Sequence, residues 1–196
     1  MSLRFQVLLA VIFALVIGST TSPAEAGNAA APTQEPPAAA EKNPPGDIPD
    51  SQVFVEYRSP IGFGLKVPEG WARTDRSDGA RFIDKYDSVD ISVTEATAAP
   101  TAASAAKNEV ARLLQTGRAV TISSVKDVMT LSGSAVLIRY TSNSDPNPVT
   151  DKQIRLENDR YLFFKAGRLA TLDLSAPLGA DNVDQWQLME RSFHWN

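Results

Sequence analysis

The stretch Lys152 to Pro177, KQIRLENDRYLFFKAGRLATLDLSAP, carries the densest run of apolar and aromatic residues downstream of the N-terminal leader. Ile154 and Leu156 alternate with Gln153, Arg155 and Glu157, the period of a half-buried strand. Asn158-Asp159 and Lys165-Ala166-Gly167 read as turns, and Leu172 and Leu174 close the last long strand. Strand, turn, strand, turn, strand in so short a space commits the chain to an antiparallel sheet. Its signature is that of a folding nucleus and contains no catalytic motif.

The N-terminus sets where the protein works. Residues Met1 to Ala26 combine Arg4, an apolar run from Phe5 to Ile17 interrupted by Gln6, and Ala24-Glu25-Ala26. A basic start, a short apolar core and an A-x-A site make a secretory signal peptide, with cleavage expected after Ala26. The run falls short of the roughly 20 residues that span a bilayer. The alternative is an uncleaved anchor, because Gly18 to Thr21 are small enough to extend the span. Either way the chain is expected to be exported, to the periplasm or the extracellular space.

The chain has no cysteine. Disulfides, thiolate metal sites and thiol nucleophiles are thereby excluded, and the core must carry the stability. Removing Arg4 and Glu25 leaves the net charge at −4. A mildly acidic chain without a basic block is a poor binder of phosphate backbones, so nucleic acid is not an expected partner.

Residues 27–52, GNAAAPTQEPPAAAEKNPPGDIPDSQ, contain six prolines, six alanines and no aromatic residue. Such a stretch buries too little apolar surface to offset its ordering entropy, which predicts a disordered, solvated tether. The folded domain is expected over residues 53–196. Ile61, Phe63, Leu65 and Val67 alternate with Gly62, Gly64 and Lys66, predicting a strand that turns at Pro68-Glu69-Gly70 before Trp71. Ala80 to Tyr86 and Val89-Ile91-Val93 predict a hairpin turning at Asp87-Ser88. Thr101 is expected to cap a single helix, with Ala103, Ala106, Val110, Leu113 and Leu114 inward and Gly117 as a left-handed C-cap. Residues 119–140 predict two strands around Ser132-Gly133, the second with Val136, Ile138 and Tyr140 inward. The polar, proline-broken loop Thr141 to Lys152 follows. Asp181 is expected to cap a last helix marked by Val183, Trp186, Met189 and Phe193. Two helices and about seven strands in hairpin order give an α+β class, an antiparallel sheet covered by helices.

GFGLKVPEGW near the start of the domain, one helix, GSAVLIRY after it, the YLFFKAGRLATLDLSAP hairpin and a terminal helix closing in RSFHW together resemble the PsbP-like family. That family includes the extrinsic lumenal subunit of photosystem II, a nuclear Ran-binding factor and many secreted bacterial proteins of unknown role. The resemblance covers residues 53–196. It implies an α-β-α sandwich and a protein that binds protein partners without catalysing a reaction, and it carries over no site residue.

Chemistry needs convergent groups, and few are in view. His194 is the one histidine, flanked by Phe193 and Trp195, and reads as solvent-facing or cap-bonded. Asp84, Asp87 and Asp90 gather around a predicted turn, where oxygen ligands could meet a hard cation but where turn chemistry also favours aspartate. Asn143, Asp145, Asn147 and Asp151 echo an oxygen-ligand loop without the glycine and closing glutamate of an EF-hand. Asp181 and Asp184 fall in a helix first turn, where the macrodipole favours acids. Trp71, Trp186 and Trp195 read as core. No P-loop, G-x-S-x-G, H-E-x-x-H or G-x-G-x-x-G is present. No catalytic, metal or cofactor residue is therefore assigned. The expected role is a non-catalytic interaction module docking on an envelope or extracellular protein, with peripheral membrane association open. The alternative is a small-molecule or metal-ion binder using a pocket between sheet and helix.

Overall fold

A computed structural model describes residues 35–196. The proposed signal peptide, 1–26, and the first part of the tether lie outside the described residues.

Strands β1 (Phe54–Ser59) and β2 (Phe63–Pro68) form a hairpin that is joined by the short terminal strand β10 (His194–Trp195) into a three-stranded sheet. The main sheet has seven strands. In chain order these are β3 (Ala72–Arg76), β4 (Gly79–Asp84), β5 (Asp87–Glu95), β6 (Thr121–Thr130), β7 (Gly133–Asn143), β8 (Arg155–Lys165) and β9 (Arg168–Pro177). Across the sheet they run β3-β4-β5-β9-β8-β7-β6, each pair antiparallel. Helices α1 (Ala102–Lys107) and α2 (Glu109–Thr116) cover one face, and α3 (Val183–Ser192) with the small sheet covers the other. The expected α+β class with an antiparallel sheet holds.

Burial on both faces explains the apolar runs at the centre. On β7, Ala135 and Leu137 enter the larger core while Val136, Ile138 and Tyr140 enter the core beneath α1 and α2. On β8, Tyr161 and Phe163 face the larger core and Leu162 the other. A strand covered on both sides reads as a continuous run because neither register is left to solvent. Phe163 stacks on Phe193 at 4.3 Å between ring centroids, so the C-terminal tail closes the larger core.

Several local expectations fail, each for a visible reason. Asn158-Asp159 is no turn. Paired to β7 and β9 on both sides, it lies inside a continuous β8, and Asn158 donates to the Tyr140 carbonyl and the Ser142 hydroxyl. The β4–β5 turn is Lys85-Tyr86, with Lys85 at φ 54°, which puts Asp87 into β5 and buries it. The predicted single helix breaks at Asn108. The break shifts its inward face, burying Ala105 and Leu113 and leaving Ala103, Ala106 and Leu114 exposed. Gly117 has φ −85° and is no left-handed cap; a Cβ there would sit 2.4 Å from Val120 Cγ2. Thr101 does cap α1, in a capping box with Ser104. Asn182, not Asp181, precedes α3, and Val183 is 62% exposed.

The stretch expected to be a solvated tether is fastened to the domain from Glu35 onward. Glu35 pairs with Arg118 at 2.6 Å, the Ala38 N–H donates to Asn143 Oδ1 at 2.8 Å, and Glu41 pairs with Lys152 at 2.8 Å. Ile48 is 5% exposed, and its N–H donates to Asn182 Oδ1 at 2.6 Å. Asn182 Nδ2 donates in turn to the Gly46 carbonyl at 2.8 Å. Prolines deny this segment secondary structure of its own, but domain side chains supply the partners its backbone needs.

Candidate functional site

Following one face of β8 toward its start, the side chains change character: Phe163, then Tyr161, then Asp159 and Glu157. Phe163 and Tyr161 are buried and stacked, their ring centroids 5.9 Å apart. The two carboxylates continue the row past the point where the larger core ends. On β7, Arg139 stands opposite Asp159 and Thr141 opposite Glu157. Leu178 to Asn182 and the first turns of α3 form the facing wall, with Trp186 half-buried and the exposed Val183 and Gln187 along its rim. Gly179, at φ 93°, makes the bend that brings this wall back.

A cleft of about 490 Å³ opens between the two walls. Small-ligand sites typically fall between about 300 and 1,000 Å³ and combine apolar walls with a few convergent polar groups. Here the apolar surface comes from Trp186, Val183, Leu178 and the Tyr161 ring. The charged groups are Arg139, Glu157 and Asp159, with neutral polar side chains such as Asn182 and Gln187 beside them.

The electrostatics are uneven. Arg139 Nε reaches Asp159 Oδ1 at 3.1 Å and Oδ2 at 3.3 Å, leaving the rest of its half-exposed guanidinium free of that pair. Burial nevertheless pushes the Asp159 carboxyl above its usual range, because the Arg139 charge does not fully offset desolvation and Asp173 adds like charge. Burial raises Glu157 as well, against the hydrogen bond that its Oε1 accepts from the Gly179 N–H at 3.1 Å. The Tyr161 hydroxyl is raised by burial and by the Asp159 charge. A site with one accessible guanidinium, two reluctant carboxylates and an indole wall can hold a polar ligand with an apolar or aromatic part.

On the opposite face of the sheet a second polar group is already satisfied. Arg160 bonds Glu109 and Asp173, Nε lying 2.9 Å from Asp173 Oδ2, and Tyr140 donates to the same oxygen at 2.8 Å. Burial raises the Glu109 carboxyl, but the Arg112 hydrogen bond and the Arg160 charge outweigh it and leave it below its ordinary value. The cluster pins α2 to the sheet.

The residues singled out in the sequence do not converge. Asp90 pairs with Arg76 at 2.7 Å, Asp84 is exposed, and Asp87 is buried beneath Gly46 and Asn182. Asn143 holds the N-terminal segment and Arg155, while Asn147 accepts from the Val149 and Thr150 N–H groups. Asp145, Asp151, Asp181 and Asp184 are exposed. Among the described residues no group of three or more His, Asp or Glu side chains is placed to hold a metal ion. His194 Nδ1 lies 3.0 Å from the Ser192 carbonyl and Nε2 3.5 Å from Glu56, away from the cleft. All three tryptophans pack on the edge of the larger core, and Trp186 also lines the cleft. Sequence reasoning missed Arg139, Glu157 and Asp159. The signal was present: Glu157, Asp159 and Tyr161 recur at period two, and reading Asn158-Asp159 as a turn concealed it.

No protein-family model matches the chain, and no curated protein matches it in sequence. Solved structures do match in fold. Cyanobacterial PsbP (CyanoP) from Synechocystis aligns with a TM-score of 0.54 at 16% identity, covering 77% of this chain and 98% of that one. The Ran-binding protein Mog1p of Saccharomyces cerevisiae aligns with a TM-score of 0.51 at 13% identity, covering 74% of this chain and 96% of that one. The seven-stranded antiparallel sheet with helices on both faces, together with these likenesses, shows that the chain has a PsbP-like fold.

Proposed function

We propose that this chain is an exported, non-catalytic binding protein whose small ligand occupies the cleft between β7, β8 and α3. The observation that carries the proposal is the convergence of Arg139, Glu157, Asp159 and Trp186 on one concavity of about 490 Å³. Export rests on the leader sequence, Met1 to Ala26. A binding role is favoured over acid–base catalysis because both carboxylates are held: Asp159 by Arg139 and Glu157 by the Gly179 N–H.

Docking on a protein partner is the second reading. It is favoured by Val183, 62% exposed at the cleft rim, and Leu188, 38% exposed one turn further along α3. A partner side chain inserted into the cleft would meet Val183, and the partner's flanking surface would reach Leu188 in the adjoining groove.

A thermal-stability screen of small polar and aromatic compounds tests the first reading. Ligand at a hundred times its dissociation constant adds about 2.7 kcal/mol to the folded state. Trp186→Ala and Arg139→Ala should each abolish the gain while the unliganded protein remains folded. Stabilisation that survives both substitutions would place the ligand elsewhere and overturn the proposal.

A further inference from the structure

The turn between β6 and β7 carries the wrong chemistry for a turn. Such positions favour Gly, Asn, Asp and Ser. Here Leu131 is 80% exposed, and Met129, just before it, is 79% exposed. The turn does not need them. Thr130 Oγ1 accepts from the Ser132 N–H at 3.1 Å and donates to the Gly133 carbonyl at 2.9 Å, while Gly133 takes φ 106°. Closure therefore comes from Thr130, Ser132 and Gly133, and the two large apolar side chains project outward, Met129 making only a weak contact from the Ser134 hydroxyl to its sulfur at 4.0 Å.

The tip is also anchored. Ser132 Oγ donates to the Phe193 carbonyl, tying the turn to the C-terminal segment. Behind it lies a shallow groove lined by Lys165, Arg191, His194 and Trp195, with no acidic side chain in its wall. Trp195 is half-buried, edge-on to Phe193 at 5.5 Å, with the Arg168 guanidinium 4.8 Å from its ring centre. Glu56 faces His194 from β1, Glu95 stands opposite Arg168 in the β5–β9 ladder, and the Glu190 carboxyl feels the Arg191 charge, but among the described residues neither Lys165 nor Arg191 is held in an ion pair. A chain of net charge −4 thus presents one end that is apolar at its point and basic behind it.

We propose that this end docks on an anionic lipid surface. Met129 and Leu131 enter the boundary between headgroups and acyl chains, Trp195 lies at headgroup level, and Lys165 and Arg191 meet lipid phosphates. Apolar wedges, an interfacial indole and a basic collar are the combination that peripheral membrane binding uses. Charge complementarity selects the occupant: the cations call for a negative surface, and exposed Met and Leu call for hydrocarbon. An acidic protein groove would satisfy the charges but not two apolar points at a convex tip. The cleft plays no part in this contact, and the two proposals stand or fall separately.

The test is tryptophan quenching of the full chain by vesicles with brominated acyl chains, made of phosphatidylcholine alone or with added phosphatidylglycerol. Any binding by the apolar run Phe5 to Ile17 is common to every variant, so the differences report the tip. Wild type should be quenched more strongly by the anionic vesicles, and Trp195→Phe should remove most of the quenching. Met129→Asp with Leu131→Asp should abolish the excess, and Lys165→Glu with Arg191→Glu should weaken binding to the anionic vesicles by at least about thirtyfold. Unchanged thermal melting of these surface variants shows that they fold. Equal quenching of wild type by both vesicle types, equal quenching of the variants and wild type, or no quenching at all would overturn the proposal; the last outcome would turn attention to a protein partner.

Discussion

Asp87 is the residue whose charge the fold least accommodates. It is 4% exposed, stands opposite Asp84 in the β4–β5 ladder and lies beneath the segment that carries Gly46 and Asp47. Among the described residues its side-chain hydrogen bond is a long one, Asn182 Nδ2 at 3.4 Å from Oδ1. Burial first, and then the Asp84 charge, push its carboxyl from 3.8 up to about 7. The native state therefore binds more protons than the unfolded chain across that interval. Stability from this group is complete below the unfolded value, falls as pH rises toward about 7, and is level above it. The full interval corresponds to a ceiling of roughly 4 kcal/mol. Asp87→Asn keeps the shape and removes the charge. Urea unfolding in steps from pH 4 to pH 8 should give variant and wild type within about 1 kcal/mol of each other at the acid end. At pH 8 the variant should be the more stable by roughly 2 to 4 kcal/mol. Glu157, Asp159 and Glu190, also raised by burial, change both proteins alike and cancel in the difference. A variant no more stable than wild type at pH 8 would refute the reasoning.

Two further substitutions test how the elements are held. Asn182→Ala leaves the Ile48 N–H and the Gly46 carbonyl without their partner, which should cost about 1 to 3 kcal/mol and expose residues 35–52 to limited proteolysis. Unchanged protection would mean that Ile48 packing and the contacts of Glu35, Ala38 and Glu41 hold this segment without Asn182. Arg160→Met leaves the Asp173 carboxylate, 15% exposed, with no cation and only the Tyr140 hydroxyl, and leaves Glu109, 17% exposed, to Arg112 alone, which should cost about 3 to 5 kcal/mol in chemical denaturation at pH 7. A loss below about 1 kcal/mol would show the cluster to be open to water.

The parts of this fold that were legible in the sequence are those set by local periodicity. The β8–β9 hairpin with its Ala166-Gly167 turn, the β6–β7 pair, the Thr101 cap and the closing helix all follow from alternation, turn residues and capping chemistry. What was not legible depends on partners distant in the chain. Asn158-Asp159 has the composition of a turn, and only two flanking strands make it an interior strand. Residues 35–52 have the composition of a linker, and only Asn143, Arg118 and Asn182, brought near by the fold, hold them down. The cleft escaped notice for the same reason: Glu157 and Asp159 look like solvent-facing residues until α3 is laid across them.

Amide chemical-shift mapping of the protein against the compounds that stabilise it tests the cleft most directly. Binding there predicts shifts concentrated in Arg139–Thr141, Glu157–Tyr161 and Leu178–Gln187, and lost in Trp186→Ala. Shifts centred instead on the groove between α1, α2 and the Ala166-Gly167 turn, with those three segments silent, would contradict it.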